Sequence, residues 1–236
     1  MKFILTAFTL LFLFSCKSKH LNKIEMIVDD YTKFGIRKNN KLKFFTLKNE
    51  TLIETNEAYV LPDSKIQEIS YGPLGPLIMR KDNIVKYYNS TGDKIKEIPN
   101  STFNLSNGIK QIEMPIGGYL VIFVDNEIRY YNTMKKNFNE EVLLRFELPK
   151  DTDEIAINGN FLCVRKDHEF RFFQVRNKIF SELKEMKFSL PYKIDEIIMS
   201  NKRMLIVRNN LLIKFYYRAG LGNNFEEIKK LEYIIN

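Results

Sequence analysis

Glu68, Gln111, Glu154 and Glu196 are the residues of this 236-residue chain whose types and spacing best suit chemistry. They stand third in the segments IQEI, IKQI, TDEI and IDEI, at intervals of 43, 43 and 42 residues. Counted the same way, IEMI puts Met26 in that place 42 residues before Glu68. So regular a spacing marks an equivalent residue in each of five repeated segments. Were these side chains to face one another, three carboxylates and an amide could hold a cation through oxygen ligands. Like charges there raise one another's pKa, and paired carboxylates suit glycoside hydrolysis. The same acids also suit exposed strand edges, where a one-residue slip would turn them away from a channel. The chain has no Trp, the residue most used to stack on sugars.

Other chemical groups are sparse. The two histidines, His20 and His168, lie far apart in sequence, which leaves no cluster for zinc or for a catalytic triad. The cysteines are Cys16 and Cys163. Cys163 sits inside the apolar run NFLCVR and reads as a buried, inert thiol. GPLGP, residues 72 to 76, reads as a turn entering a strand rather than a phosphate loop, because two prolines remove amide donors. No catalytic residue, metal or cofactor is assigned from these residue types.

The elements that position the ring come from a repeat. A quartet of apolar, cationic, aromatic and aromatic residues recurs as LKFF, VKYY, IRYY, FRFF and IKFY. Its first aromatics are Phe44, Tyr87, Tyr130, Phe172 and Phe215, at intervals of 43, 43, 42 and 43 residues. An apolar run precedes each quartet: YTKFGIR, GPLIMR, GGYLVIFV, GNFLCVR and RMLIVR. Between run and quartet lie Asn, Asp or His, which tolerate the positive φ of tight hairpins. A further run follows, often ending in proline, at Pro62, Pro99, Pro149 and Pro191. Each unit therefore reads as four short strands with turns between them. The chain is 44% apolar and 28% charged, a globular composition. In a third strand, Leu42 and Phe44 should face one way while Lys43 and Phe45 face the other.

Four strands in about 43 residues is the size of one propeller blade. The order of run, turn, quartet and outer strand resembles blades of the YVTN, NHL and quinoprotein-like families. The WD and GH dipeptides of WD repeats are missing. The resemblance implies an all-β fold, a five-bladed β-propeller over residues 23–236; a β-sandwich or an open β-repeat stack is the alternative. Blades are expected at 23–62, 63–105, 106–149, 150–191 and 192–236. It also implies that first strands line a central channel, as in five-bladed glycosidases of the arabinanase type, which carry three acids there. Glu68, Gln111, Glu154 and Glu196 thus become candidate channel ligand-binding residues.

The leader MKFILTAFTLLFLFSC has an uncharged run from Phe3 to Ser15, too short for a membrane span of about 20 residues. LFSC resembles the lipobox of bacterial lipoproteins, in which a peptidase cuts before a cysteine that carries a diacylglycerol. Leu13 and Ser15 match the pattern, and Phe14 is bulkier than usual. The resemblance implies a signal peptide over 1–15, lipidation at Cys16 and a tether over 16–22. A plain secretory signal or an anchor helix is the alternative for the same stretch. Acyl chains would hold the protein to membrane lipid in the cell envelope, and lysines of KSKHLNK would favour an anionic leaflet. An address outside the cytoplasm argues against nucleic acid despite the formal charge of +8. With Cys163 then the remaining thiol, no intrachain disulfide forms. The expected function is a non-catalytic scaffold for protein–protein contact, with NTMKKNFNEE and RAGLGNNFEE as contact loops. The alternative is an extracytoplasmic glycan hydrolase, or a cation- or ligand-binding propeller using the carboxylate ring.

Overall fold

The computed structural model describes residues 23–28, 33–48, 51–71, 76–91, 94–105, 108–114, 119–133, 139–177, 179–186, 188–200, 204–218 and 224–235. Cys16, His20 and the leader and tether lie outside them, as do most of GPLGP and the centres of the two contact loops (134–138 and 219–223).

Among the described residues the strands form five antiparallel sheets, each from one contiguous stretch of chain. Blade one holds β1 (Ile24–Val28), β2 (Lys33–Lys38), β3 (Lys41–Lys48) and β4 (Thr51–Val60). Blade two holds β5 (Glu68–Tyr71), β6 (Pro76–Lys81), β7 (Ile84–Thr91) and β8 (Lys94–Asn104). Blade three holds β9 (Ile109–Glu113), β10 (Tyr119–Val124) and β11 (Glu127–Asn132), with β12 (Asn139–Glu140) and β13 (Phe146–Glu147) sharing the outer edge. Blade four holds β14 (Glu154–Asn158), β15 (Phe161–Lys166) and β16 (Glu169–Arg176), with β17 (Ile179–Glu182) and β18 (Phe188–Ser189) outside. Blade five holds β19 (Glu196–Ser200), β20 (Met204–Asn209), β21 (Leu212–Arg218) and β22 (Phe225–Ile234). The molecule is a five-bladed β-propeller.

The aromatic quartets are the wedges of this ring. Alternation along a strand sends neighbouring side chains to opposite faces, and both faces of a blade meet another blade. Phe44 and Tyr88 share the core between blades one and two. Tyr87 and Tyr131 share the next, then Tyr130 and Phe173, then Phe172 and Tyr216. Phe215 and Phe45 share the fifth, which joins blade five to blade one. Each interface thus takes the first aromatic of one blade and the second aromatic of the following blade. Edge-on pairs such as Phe34–Phe215, with centroids 5.7 Å apart, cross the closing interface. Four of the five cations of the quartet pair with acids of the outer strand: Lys43 with Glu54, Lys86 with Glu97, Arg171 with Glu182 and Lys214 with Glu227, while Arg129 pairs with Glu127 of its own strand.

The hairpin turns have the expected left-handed residues, with Asn39, Asp82, Asp125, Asp167 and Asn210 at φ between 49° and 59°. Opposite each first aromatic on the second strand stand Gly35, Ile78, Val121, Cys163 and Ile206. Cys163 is fully buried in this series, so its role is packing. At Gly35 a Cβ would meet Ile27 Cγ1 at 2.5 Å, which explains the missing side chain.

One expectation about the outer strands is corrected. Pro99 does not end its run; it lies within β8, where the pairing with β7 shifts register between Lys86 and Tyr88. Proline fits an outer strand at a bulge, because no ladder bond needs its amide. Ser101 Oγ fills the gap, accepting from the Tyr87 amide and donating to the Ile98 carbonyl at 2.5 Å.

Candidate functional site

The innermost strands β1, β5, β9, β14 and β19 surround a central cavity of about 370 Å³. Glu68, Gln111, Glu154 and Glu196 all line it. In blade one, however, Met26 does not belong to their ring. It is 2% exposed and packs in the core between blades five and one. Its neighbour Glu25 takes the ring position, because residues 25, 68, 111, 154 and 196 are the ones related by the fold. Counting letters within IEMI slips blade one by one residue, and a single slip exchanges the two faces of a strand.

Each ring residue fastens its blade to the next. Glu25 Oε1 accepts the Ile69 amide at 2.8 Å, and Glu68 Oε1 accepts the Ile112 amide at 2.8 Å. Gln111 Oε1 accepts the Ile155 amide at 3.0 Å, while its Nε2 donates to the Ile155 carbonyl at 2.7 Å. Glu154 Oε1 accepts the Ile197 amide at 3.0 Å. Glu196 Oε1 then accepts the Met26 amide at 2.7 Å and closes the circle from blade five to blade one. Among the described residues, closure therefore uses this bond, a second from Arg208 Nη2 to the Ile24 carbonyl at 3.4 Å and a shared apolar core, with no strand exchanged between the first and last sheets.

The second oxygen of each carboxylate is held by an arginine of the same blade. Arg37, Arg80, Arg165 and Arg208 sit directly across from Glu25, Glu68, Glu154 and Glu196 on the second strand. The donor–acceptor distances are 3.0, 2.8, 3.0 and 2.9 Å. Each guanidinium also reaches the carbonyl of the left-handed turn residue, namely Asn39, Asp82, Asp167 or Asn210. One arginine thus ties the channel wall to the hairpin turn. In four blades Arg is the penultimate residue of the second strand, visible in GIR, IMR, CVR and IVR at intervals of 43, 85 and 43, so sequence periodicity could have found these residues.

Blade three breaks the pattern twice at once. Gln111 replaces the carboxylate, and Phe123 stands across from it where the arginine would be. Lys110 Nζ lies 4.7 Å from the centre of the Phe123 ring, a cation–π contact. Glu113, two residues after Gln111, also lines the cavity and takes a hydrogen bond from Gln111 Nε2 at 2.9 Å. Spacing analysis missed Glu113, because the equivalent positions in the other blades are Ile27, Ser70, Ala156 and Ile198.

Burial in the narrow cavity pushes three carboxylates of the ring up against the pull of their arginines. Glu68 and Glu154 rise to about 7 and Glu196 to about 8. Glu25 adds a like-charge contribution at Glu68 and Glu196. Glu113 is raised well above the usual range by burial first and then by Glu68, Glu154 and Glu196. Burial raises the Cys163 thiol as well. Among the described residues no three His, Cys, Asp or Glu side chains are grouped to hold a metal ion. His168 uses Nδ1 on the Tyr192 carbonyl at 2.7 Å, in the turn before β16.

Among solved structures the chain is similar to a protein from Lactobacillus plantarum, at 14% identity over 86% of this chain and 68% of that one, with a TM-score of 0.49. It is also similar to Hsv2p of Kluyveromyces lactis, at 8% identity over 88% and 63%, with a TM-score of 0.49. Hsv2 of Kluyveromyces marxianus aligns at 6% identity over 90% and 62%, with a TM-score of 0.47. The chain spans less than two thirds of the length of these two Hsv2 structures. No family model and no curated protein matches it.

Proposed function

We propose that this protein is a lipid-anchored, extracytoplasmic lipoprotein whose propeller is a non-catalytic scaffold for protein–protein contact in the cell envelope. The observation that carries the scaffold reading is the employment of the ring. Both oxygens of Glu25, Glu68, Glu154 and Glu196 are engaged, one by the next blade and one by an arginine. A carboxylate committed in this way is a fastener and is poorly placed to act as nucleophile, base or metal ligand. What remains for partners is the broad outer surface and the loops between third and fourth strands. The anchor rests on the LFSC motif and Cys16. Partners would be proteins of the envelope, recognised on the blade rims.

Two measurements test this. Labelled palmitate should enter the wild-type chain and not Cys16→Ser, and the wild type should be recovered from membranes in cross-linked complexes. Absence of label in the wild type would overturn the anchor. A second reading, a channel that binds a cation or small ligand, is favoured by Glu113, the cavity acid held by an amide rather than an arginine. Glu113→Gln should leave the recovered partners unchanged if the scaffold reading holds. Loss of a ligand, or of hydrolysis of an oligosaccharide, on that substitution would favour the channel.

A further inference from the structure

The ends of a propeller are two faces, and one of them here carries the entry of the chain. The Lys23 carbonyl accepts the Asn39 amide at 2.9 Å, so the first described residue sits beside the β2–β3 turn of blade one. The equivalent turns of the other blades, and the ends of the outer strands that pair with them, share this face: Leu61 bonds Asn40, Leu105 bonds Asn83, Leu148 bonds Asn126, Leu190 bonds His168 and Ile235 bonds Leu211.

The turn face is divided by blade. On blades five, one and two it shows apolar side chains to solvent: Leu211 is 45% exposed, Ile234 62%, Val60 65% and Ile84 41%. Exposed Lys38, Lys41, Lys65 and Lys193 stand among them. Asp63, Asp82 and Asp195 are interleaved, and Asp63 and Asp195 are tied to Lys81 and Lys193 at 2.7 and 3.0 Å. The matching positions of blades three and four carry exposed Asp125, Glu147, Asp151, Asp167 and Glu169, with Lys150 and Lys166. Ile84 and Leu212 follow their turns where blades three and four have Glu127 and Glu169. The apolar, basic arc is therefore centred on blade one, the blade that carries Lys23.

We infer that the turn face of blades five, one and two docks on an anionic lipid bilayer, laying Val60, Ile84, Leu211 and Ile234 into the headgroup layer with lysines on the lipid phosphates. Apolar side chains ringed by cations are what an interfacial site needs. Geometry adds the reach: Cys16 stands seven residues before Lys23, a span of at most about 25 Å when fully extended. This inference rests on the proposed lipid anchor, which would hold this face, and not the opposite one, within that distance of the membrane. The acidic arc of blades three and four would tilt away from the surface, leaving those blades free for partners.

Amide hydrogen exchange of the full lipidated protein is the test, in phosphatidylcholine vesicles with and without phosphatidylglycerol and in detergent micelles. In the anionic vesicles, exchange across residues 38–42, 82–85 and 209–213 should slow by about tenfold or more relative to micelles, while 125–128 and 167–170 stay unchanged. A variant with Val60→Asp, Ile84→Asp and Leu211→Asp should keep its circular dichroism, still float with the vesicles and lose the protection. Lys41→Glu with Lys65→Glu should lose it without touching an apolar group. A protein that floats but shows no difference between the two arcs overturns the docking and leaves the anchor standing. Protection in native membranes but not in protein-free vesicles overturns it in favour of a protein partner. Protection that appears in micelles and grows with concentration overturns it in favour of a second copy. A chain that carries no fatty acid and does not float overturns both readings.

Discussion

Blade three and the other four solve one mechanical problem with different chemistry. All five must fasten an inner strand to the inner strand of the next blade, where the channel leaves backbone groups without a ladder partner. Four use a carboxylate clamped by an arginine, and blade three uses an amide that both accepts from and donates to Ile155. The amide makes two inter-blade bonds without bringing a charge into the cavity. The glutamate of a Glu–Arg unit makes one, and spends its second oxygen on an arginine that also holds the hairpin turn and, for Arg37 and Arg208, reaches a carbonyl of the next blade. Blade three lacks that arginine, and both residues of its turn, Asp125 and Asn126, are left-handed. The comparison teaches that the ring needs a hydrogen-bonding side chain of this length at each station, whereas its charge is needed only where an arginine faces it. Removing one half of such a pair should cost more than replacing both.

The largest effect is expected at the most deeply buried clamp. Arg37 is 2% exposed, and Arg37→Met would strand the Glu25 carboxylate and the Ile66 and Asn39 carbonyls. Urea unfolding should show a loss of about 3–5 kcal/mol. Next comes the reverse experiment in blade three. Gln111→Glu creates a carboxylate with no arginine across from it and Glu113 beside it, and forfeits the bond to the Ile155 carbonyl. We expect about 2 kcal/mol lost at pH 8, and less at pH 5 where the new group is protonated.

The wild-type ring itself should respond to pH. Glu68, Glu154 and Glu196 have folded-state values of about 7, 7 and 8, above the ordinary carboxylate value of 4.5. Between that value and about 8, the folded protein holds protons that the unfolded chain releases. Stability should therefore fall as pH rises through this window, seen as a lower melting temperature at pH 8 than at pH 5. A melting temperature that rises across it would contradict the assignment. Copying blade three into blade two, with Glu68→Gln and Arg80→Phe together, should cost only about 1 kcal/mol, less than Arg80→Phe alone. Smallest of all is the exposed pair on the rim: Lys43→Ala, removing the bond to Glu54 at 2.7 Å, should leave the urea midpoint indistinguishable from that of the wild type.

Much of this architecture was legible in residue spacing. The quartets announced five equivalent third strands because each aromatic must recur wherever the same wedge recurs. The Asn and Asp turns could be read for a local reason, since a two-residue hairpin demands left-handed backbone. Pro99 was misread because proline also suits a bulged outer strand, and nothing local distinguishes that place from a strand end. Met26 was misread because Glu25 and Met26 are both plausible on a strand edge, and only pairing with Arg37 and Ile36 settles their faces. Glu113 was invisible to any periodic search, since blade three alone carries an acid there.

The sequence by itself determined the number of blades, the strand order within each and the residues that wedge them, because these follow from local alternation and a period that the chain states repeatedly. Only the tertiary structure decided what the acids do. Whether a carboxylate is a fastener or an open ligand depends on the groups that meet its two oxygens. Those groups come from an arginine on the next strand, some 12 residues away, and from an amide on the next blade, about 44 residues away or, at the seam, 170. No local rule of composition or periodicity brings such distant atoms within hydrogen-bonding distance; the closing of the ring does.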